Sequence, residues 1–319
     1  MLLQVLGTAA GGGLPQWNCA CPGCAGARAH PHRRRRHASL AVRVADHRWY
    51  VVNAGPDLTD QIEASPALHP GPGLRETPVA GVVLTDAELD HTLGIARLRE
   101  ARAGVEVWAT PPVRHALLNG LRLGDVLGPY TPLEWRELGP QPRLLGDAVE
   151  MSALPISAKR PRYATGLPPL SSPSSLSSPP PLPGPPGDAA PGDLSWVVAL
   201  RLHEPATGAR VVYAPALAAW PDALQKAVED ADCVLVDGTF WDDDEPVRTG
   251  ISSRTATAMG HLPIDGPDGT ARRLAGVRGR CLYTHLNNTN PLTDPGAAEH
   301  TRLAALGLEV AAERMVIEI

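Results

Sequence analysis

Short apolar runs of strand length recur along the chain, and the longest of them end in polar turns. Residues 79–84 and 233–237 are almost continuously apolar, as buried strands are, whereas residues 222–231 show the spacing of an amphipathic helix. Strands that alternate with helices favour an α/β fold. The pattern predicts strands at residues 1–6, 39–44, 48–53, 79–84, 105–109, 194–203, 209–214, 233–237, 281–285, 308–310 and 315–317, and helices at 111–121, 222–231 and 297–305.

The polar turn after residues 79–84 is unusually rich in ionisable side chains. Within six residues it carries Asp86, Glu88, Asp90 and His91. The carboxyl end of a buried strand is where α/β folds commonly place their chemistry, and this density of donors suits a metal site. The same residues also suit an acidic helix N-terminus with Asp86 as the N-cap. Both interpretations are open on this segment alone.

Three cysteines stand close together near the amino terminus, in Cys19-Ala20-Cys21-Pro22-Gly23-Cys24. Thiols this close in an otherwise cysteine-poor chain favour a soft or borderline cation, and Zn²⁺ takes four ligands in a closed structural site. The fourth ligand must come from elsewhere. The candidates are His30, His32 and His37 nearby, and His261 far along the chain.

Composition and charge narrow the classes of function. Hydrophobic residues make up 43% of the chain and charged residues 20%, as in soluble globular proteins, and the formal net charge of −5 argues against a nucleic-acid partner. The chain begins without a basic leader, and it has no apolar run of about 18 residues, the length that a membrane span needs. We therefore expect a cytoplasmic protein without a membrane span.

One segment differs in composition from the rest. Residues 167–193 are rich in proline, serine and glycine, with almost no apolar periodicity. A segment of this kind cannot bury a core, so we predict a disordered insertion. The remainder is expected to form a single domain over residues 1–319, with two pseudo-equivalent halves.

The order of several motifs resembles the metallo-β-lactamase superfamily. A first strand and a glycine loop are followed by Ala54-Gly55-Pro56-Asp57, by Thr85 with Asp90 and His91, and by a late strand-end His285. The Cys-x-Cys-x-x-Cys segment and the run from His285 to Pro291 are similar to one branch, the coenzyme PQQ synthesis protein B family. This resemblance implies an α/β fold, an αββα sandwich with a metal in the cleft at one edge of the sheets.

The chain departs from the usual hydrolytic signature of that superfamily. Asp86 and Glu88 stand where a hydrolase has its first two histidines, and Ala216 stands where the bridging aspartate would be. A hydrolytic site with two zinc ions therefore looks dismantled. The ligands that remain are Asp90, His91 and His285. Two imidazoles and one carboxylate are the ligand set of non-haem Fe²⁺ oxygenases, although Zn²⁺ accepts the same ligands.

The resemblance also implies a pathway, the synthesis of pyrroloquinoline quinone (PQQ) from a glutamate–tyrosine pair. The implied activity is an iron-dependent hydroxylation of the tyrosine ring of a peptide-derived precursor. An alternative is a non-catalytic carrier that assists transport of PQQ or its precursor to the periplasm, and a third hypothesis is a hydrolase that needs two metals. Other proteins of the pathway are candidate partners.

Further site residues are expected from position or from the resemblance. Asn287, Asn288 and Asn290 follow His285 closely, so their amides could orient the substrate, although asparagines after a strand also simply form turns. Asp86 and Glu88 could add a ligand, accept protons or cap the helix. The resemblance to zinc-bearing relatives with a late Gly-His implies His261 as the fourth ligand of a structural zinc on Cys19, Cys21 and Cys24.

Overall fold

The computed structural model describes residues 1–168 and 194–319. Nearly all of the predicted proline-rich insertion therefore lies outside the described residues. Fourteen strands are found in the described ranges, numbered here in chain order: β1 (Leu2–Gly7), β2 (Ser39–Ala45), β3 (Arg48–Val52), β4 (Val79–Val83), β5 (Val105–Ala109), β6 (Leu133–Glu137), β7 (Arg143–Leu145), β8 (Val149–Ser157), β9 (Val197–His203), β10 (Arg210–Ala214), β11 (Cys233–Asp237), β12 (Arg280–Thr284), β13 (Leu308–Val310) and β14 (Val316–Glu318).

Short helices connect these strands: α1 (Pro22–Ala29), α2 (Leu58–Glu63), α3 (Leu89–Thr92), α4 (Pro111–His115), α5 (Leu123–Leu127), α6 (Asp222–Glu229), α7 (Glu245–Arg248), α8 (Ala256–Met259), α9 (Thr270–Leu274) and α10 (Ala298–Ala305). Single turns of 3₁₀ helix lie at Pro31–Arg33, Pro66–Leu68, Arg162–Ala164 and Pro291–Thr293, with a longer one at Leu93–Leu98, and α4 continues into a π-helical turn at Ala116–Gly120. Among the helices that the structure describes, none is both long and apolar enough to cross a bilayer.

The strands form two seven-stranded sheets of matching design. The first has the order β14-β1-β2-β3-β4-β5-β6 and the second the order β13-β12-β11-β10-β9-β8-β7. In each sheet one half is antiparallel, and the other half, β3 to β6 or β10 to β13, is parallel. The carboxyl ends of each parallel half therefore point to one edge of its sheet.

The two sheets face each other across a shared apolar core. In β2, Leu40 and Val42 point into this core, whereas Ala41 between them packs on the opposite face. In β11, Leu235 points inward and Val234 packs on the outer face. Since side chains alternate along a strand, each sheet buries one face in the shared core and the other under helices. This confirms the predicted αββα sandwich of the metallo-β-lactamase fold.

The helix after β4, α3, is only about one turn long. The backbone N–H of Ala54 donates to the carbonyl oxygen of His91 at 2.7 Å, and the N–H of Gly94 donates to the carbonyl oxygen of Ala54 at 2.8 Å. These bonds replace α-helical ones, so α3 ends after one turn and continues as 3₁₀ helix. A Cβ at position 94 would lie only 2.0 Å from the carbonyl oxygen of Gly55, so this close approach requires glycine. The turn at residues 54–57 thereby fixes α3.

Candidate metal centre

The predicted ligands come from both sheets and meet at one edge of the sandwich. Helix α3, after β4, carries Asp90 and His91, while β11 ends at Asp237 and β12 is followed by His285. One ligand atom of each of Asp90, His91 and His285 lies within 4.8 Å of the others. We call these three residues the strand-edge cluster. The structure thus brings together side chains that are distant in the sequence.

The donor atoms of the strand-edge cluster converge. Asp90 Oδ2 lies 3.6 Å from His91 Nε2 and 3.4 Å from His285 Nε2. The centroids of the two imidazole rings are 5.2 Å apart. His91 Nε2 is buried and has no hydrogen-bond partner among the described residues. Burying a nitrogen without a hydrogen-bond partner costs free energy unless a cation or another polar group binds it. The cluster therefore fits a metal ion.

The orientation of His91 is set by Asp86. His91 Nδ1 lies 2.7 Å from Asp86 Oδ2, and this oxygen also accepts the Thr85 hydroxyl at 2.9 Å. With its Nδ1 proton directed to the carboxylate, His91 presents Nε2 to a cation, as metal-binding histidines commonly do. Asp86 Oδ1 accepts the backbone N–H of Glu88 at 2.9 Å. Asp86 thus caps the turn before α3 and positions a ligand, rather than joining the donor set itself.

His285 is oriented by a second set of hydrogen bonds. Its Nδ1 lies 2.8 Å from the hydroxyl oxygen of Thr239, and that hydroxyl donates to Asp237 Oδ1 at 2.5 Å. Thr239 therefore accepts from His285 Nδ1 and directs Nε2 of the ring toward Asp90. His285 also has a positive φ of 59°, which is uncommon for a non-glycine residue. Each histidine of the cluster is thus held by a polar side chain behind it.

His261 lies beside the strand-edge cluster. Its Nδ1 is 2.7 Å from Asp237 Oδ2, and its ring stacks on that of His285 with centroids 5.8 Å apart. The left-handed Gly260, with a φ of 91°, ends α8 and precedes this side chain. The prediction that His261 completes the thiol site is therefore corrected: its ligand atom groups with those of Asp237 and His285, and it does not lie within 4.8 Å of all three thiols.

At this edge of the sandwich, burial and neighbouring charges shift the pKa values of several side chains, often in opposite directions. Burial lowers the pKa of His91, but the nearby carboxylates of Asp86 and Asp90 outweigh it and raise that pKa to about 9. Burial raises the pKa of Asp90, but the charges of His91, His285 and His37, together with a hydrogen bond from His285, hold that pKa well below the usual range. The pKa of Glu88 is raised by burial and by Asp86. A cation that binds His91 must therefore displace a proton near neutral pH.

The three cysteines do come together, as predicted. One Sγ atom of each of Cys19, Cys21 and Cys24 lies within 4.8 Å of the others, and we call this group the thiol cluster. Burial raises the pKa of Cys24 to about 11. Burial also raises the pKa of Cys21, but hydrogen bonds, first from the Cys24 N–H and then from the Asn288 amide, lower it overall. His37, a candidate fourth ligand, instead pairs with Asp57, with Nδ1 3.0 Å from Oδ2.

The three asparagines after His285 have different roles. Asn288 is only 3% exposed, and its Nδ2 lies 3.2 Å from both Cys19 Sγ and Cys21 Sγ. The fully buried Asn290 donates its amide to the carbonyl oxygen of Gly238 at 2.7 Å. The predicted substrate contacts of these two residues are therefore corrected, because both amides are occupied within the fold. Half-buried Asn287, which donates to Thr289 Oγ1 at 2.6 Å, stays a predicted substrate contact.

Sequence reasoning missed the supporting role of Thr239. The residue stands two positions after the end of β11, in an Asp-Gly-Thr turn. That turn carries a detectable signal, since a buried strand ending in Asp followed by Gly and a hydroxyl residue places polar atoms at the sheet edge. The partner His285 could not be read from the same segment, because it belongs to the next strand of the sheet.

Comparison with known proteins agrees with this architecture. The family model described as the beta-lactamase superfamily domain matches residues 48–286. Coenzyme PQQ synthesis protein B from Azoarcus sp. (strain BH72) is 40% identical, with 100% of each chain covered. The protein of the same name from Ruegeria pomeroyi is 38% identical, with 99% of each chain covered.

Solved structures give the same result. The crystal structure of Zn²⁺-bound PqqB from Methylobacterium extorquens has a TM-score of 0.85 and 30% identity, with both chains fully covered. A diphosphatase of the PhnP family has a TM-score of 0.66 at 15% identity, covering 100% of this chain and 96% of its own, and shows the fold alone. The chain therefore belongs to the beta-lactamase superfamily and, within it, to the family of coenzyme PQQ synthesis protein B.

Proposed function

We propose that the protein acts in PQQ biosynthesis as an Fe²⁺-dependent oxygenase that hydroxylates the tyrosine ring of a glutamate–tyrosine precursor. The observation that carries the proposal is the strand-edge cluster, in which two imidazole nitrogens and one carboxylate converge on one point. This is the facial donor set that leaves coordination positions open on non-haem iron. The names of the relatives supply the pathway.

The surroundings of the cluster favour one metal over two. A hydrolytic pair of metals needs donors on both sides of a bridging hydroxide. In this chain Asp86 is bonded to His91 Nδ1, and Ala216 carries no donor at the position of the bridging aspartate. The other donors beside His285 are Asp237 and His261, which are bonded to each other at 2.7 Å. Residues 155–158, where the resemblance places a further histidine of a hydrolase, contain no imidazole, and Ser157 there accepts the backbone N–H of Lys159 at 3.0 Å. These contacts argue against the hydrolase.

Iron would supply the binding and activation of O₂ at the open positions of the cluster. Asp90 contributes one negative charge, which partly balances that of the cation. His91 and His285 remain fixed because Asp86 and Thr239 hold their Nδ1 atoms. Hydroxylation replaces a ring C–H by C–OH and reduces the second oxygen atom to water. The reaction therefore also consumes two electrons and two protons, which an external reductant must deliver.

The experiment compares metals on the same protein. Metal-free protein is loaded without oxygen with either Fe²⁺ or Zn²⁺, then mixed with a glutamate–tyrosine precursor, a reductant and air. We expect the iron form alone to yield a product heavier by one oxygen atom on the tyrosine ring. Equal product with both metals, or binding of the precursor without product from either, would contradict the oxygenase and favour the carrier.

A further inference from the structure

A cleft with a volume of about 650 Å³ is lined by five arginines. Four of them are consecutive, Arg33 to Arg36, and the fifth, Arg314, lies in the turn before β14. None of the described residues that line this cleft belongs to the strand-edge cluster or the thiol cluster. Pockets that hold small molecules have volumes of about 300–1,000 Å³. We call this feature the arginine cleft, and its size suits a small-molecule ligand.

Two of the five arginines are paired with carboxylates of the fold. Arg36 Nη1 lies 2.9 Å from Glu313 Oε2, and the backbone N–H of Arg36 donates to the same carboxylate. Arg33 Nη1 lies 3.3 Å from Asp294 Oδ1. The charges of these two guanidinium groups are therefore largely balanced by their neighbours.

The other three arginines form no ion pair with any carboxylate in the described part of the chain. Half-buried Arg35 donates through Nη1 to Thr8 Oγ1 at 2.9 Å and to the carbonyl oxygen of Ala311 at 3.2 Å, and both acceptors are neutral. Burial lowers the pKa of Arg35. Arg34 and Arg314 are exposed. A buried charge without a counter-charge costs free energy, so an anion in the cleft would stabilise Arg35.

The acidic residues of the cleft do not cancel this excess of positive charge. The carboxylates that line it are Asp57, Asp60 and Glu313, fewer than the arginines. Asp57 is paired with His37, and Asp60 is exposed on α2, where water screens its charge. Arg33 Nε and Asp57 Oδ1 are buried without a hydrogen-bond partner among the described residues. Since buried polar atoms are nearly always satisfied, molecules held in the cleft must supply these partners.

We propose that the arginine cleft binds a small molecule that carries several carboxylate groups. The planar fork of a guanidinium matches a carboxylate through two parallel hydrogen bonds, and a cleft lined by one sign of charge concentrates ions of the opposite sign. The unpaired Arg34, Arg35 and Arg314 come from two segments of the chain, so a ligand that reaches them needs anionic groups at more than one position. The cleft is also far larger than one phosphate ion requires. This site does not depend on the metal chemistry of the strand-edge cluster.

Calorimetric titration of the full, metal-loaded chain with tricarballylate, which carries three carboxylates, tests the proposal. We expect saturable binding at one site that weakens as the salt concentration rises. Propionate, with a single carboxylate, and inorganic phosphate should each bind at least about tenfold more weakly, since they lose charge-assisted hydrogen bonds. Absence of tricarballylate binding, or equal affinity for phosphate, would overturn the proposal.

Two variants locate the bound tricarballylate. Arg34→Gln and Arg314→Gln each remove an exposed guanidinium that has no carboxylate partner, so the fold should be retained, as circular dichroism can check. Each should weaken tricarballylate binding at least about tenfold. Arg272→Gln, at an exposed position of α9 outside the cleft, is the matched control and should bind as the wild type does.

Wild-type affinity in both folded arginine variants would place the tricarballylate elsewhere, for example on a metal ion, and would overturn the proposal. Should one variant fail to fold, the other decides. The titration needs neither O₂ nor a precursor, so its outcome is separate from the success or failure of the proposed oxygenase.

Discussion

The strand-edge cluster and the thiol cluster show two ways in which one chain brings metal-binding side chains together. The thiols lie within six residues on one loop and the first turn of α1, whereas Asp90 and His285 follow strands of different sheets. Sulfur-rich, locally assembled sites are typically closed and structural, whereas mixed imidazole and carboxylate sites can keep positions open for chemistry. This difference in ligand type and in sequence distance supports the proposal that the thiol cluster stabilises the fold and the strand-edge cluster carries the reaction.

Removal of a ligand from the strand-edge cluster should have the largest effect. We expect His285→Ala to lower iron affinity by more than about 100-fold and to abolish hydroxylation, because the two remaining donors, Asp90 and His91, hold the ion only weakly. Iron binding is measured by anaerobic titration and product by mass spectrometry. His203, on β9, serves as the matched control; its Nδ1 lies 3.0 Å from Glu150 Oε2. Its replacement by alanine should leave iron binding and product formation unchanged. Full iron binding by His285→Ala would contradict the assignment of His285 as an iron ligand.

The carboxylate behind His91 should have the next largest effect. Asp86→Asn keeps the size of the side chain but weakens the hydrogen bond that orients His91, so we expect iron affinity to fall by about 10- to 100-fold. Zinc content of the thiol cluster should not change. Asp46→Asn, at an exposed turn, serves as the control. A simultaneous loss of zinc from the thiols would show that the two sites are not independent.

Thr239 offers a smaller and more selective test. Thr239→Val removes the hydroxyl that links His285 to Asp237, and we expect iron affinity to fall by about tenfold. Thr239→Ser retains the hydroxyl and should restore most of the affinity. Equal weakening in both variants would mean that packing of the side chain, rather than its hydrogen bond, supports His285.

The next prediction concerns the pH dependence of stability, and it changes none of the proposed metal ligands. Buried Glu245 accepts hydrogen bonds from the Trp241 N–H and the Thr289 hydroxyl, and burial raises its pKa to about 7. Since the folded state favours the protonated form, this contribution to stability is complete below the unfolded pKa near 4.5 and is lost as pH rises through about 7.

We therefore expect Glu245→Gln, which mimics the protonated acid, to gain up to about 3 kcal/mol relative to the wild type between pH 4.5 and 8. The free energy of unfolding is measured by denaturant titration across this range. Exposed Glu63→Gln should show no such trend. Parallel pH profiles of wild type and Glu245→Gln would contradict an elevated pKa.

The sequence was sufficient for most of the strands, although not for β6, β7 and β8, and for part of the site. Asp90 and His91 stood out because they follow a continuous apolar strand, and His285 because it follows another. The positions of His261 and Asn288 were not predictable in the same way. Each lies in a loop whose direction is set by tertiary contacts, the first by the left-handed Gly260 and the second by the packing of α1. The single-domain organisation over residues 1–319 stays a prediction.

The central claim is that iron and zinc occupy different clusters. Crystals of protein loaded with both metals can be measured by anomalous scattering at the iron and zinc absorption edges. The account predicts one iron ion at Asp90, His91 and His285 and one zinc ion at Cys19, Cys21 and Cys24. Two bridged metals at the strand edge, or iron among the thiols, would contradict it.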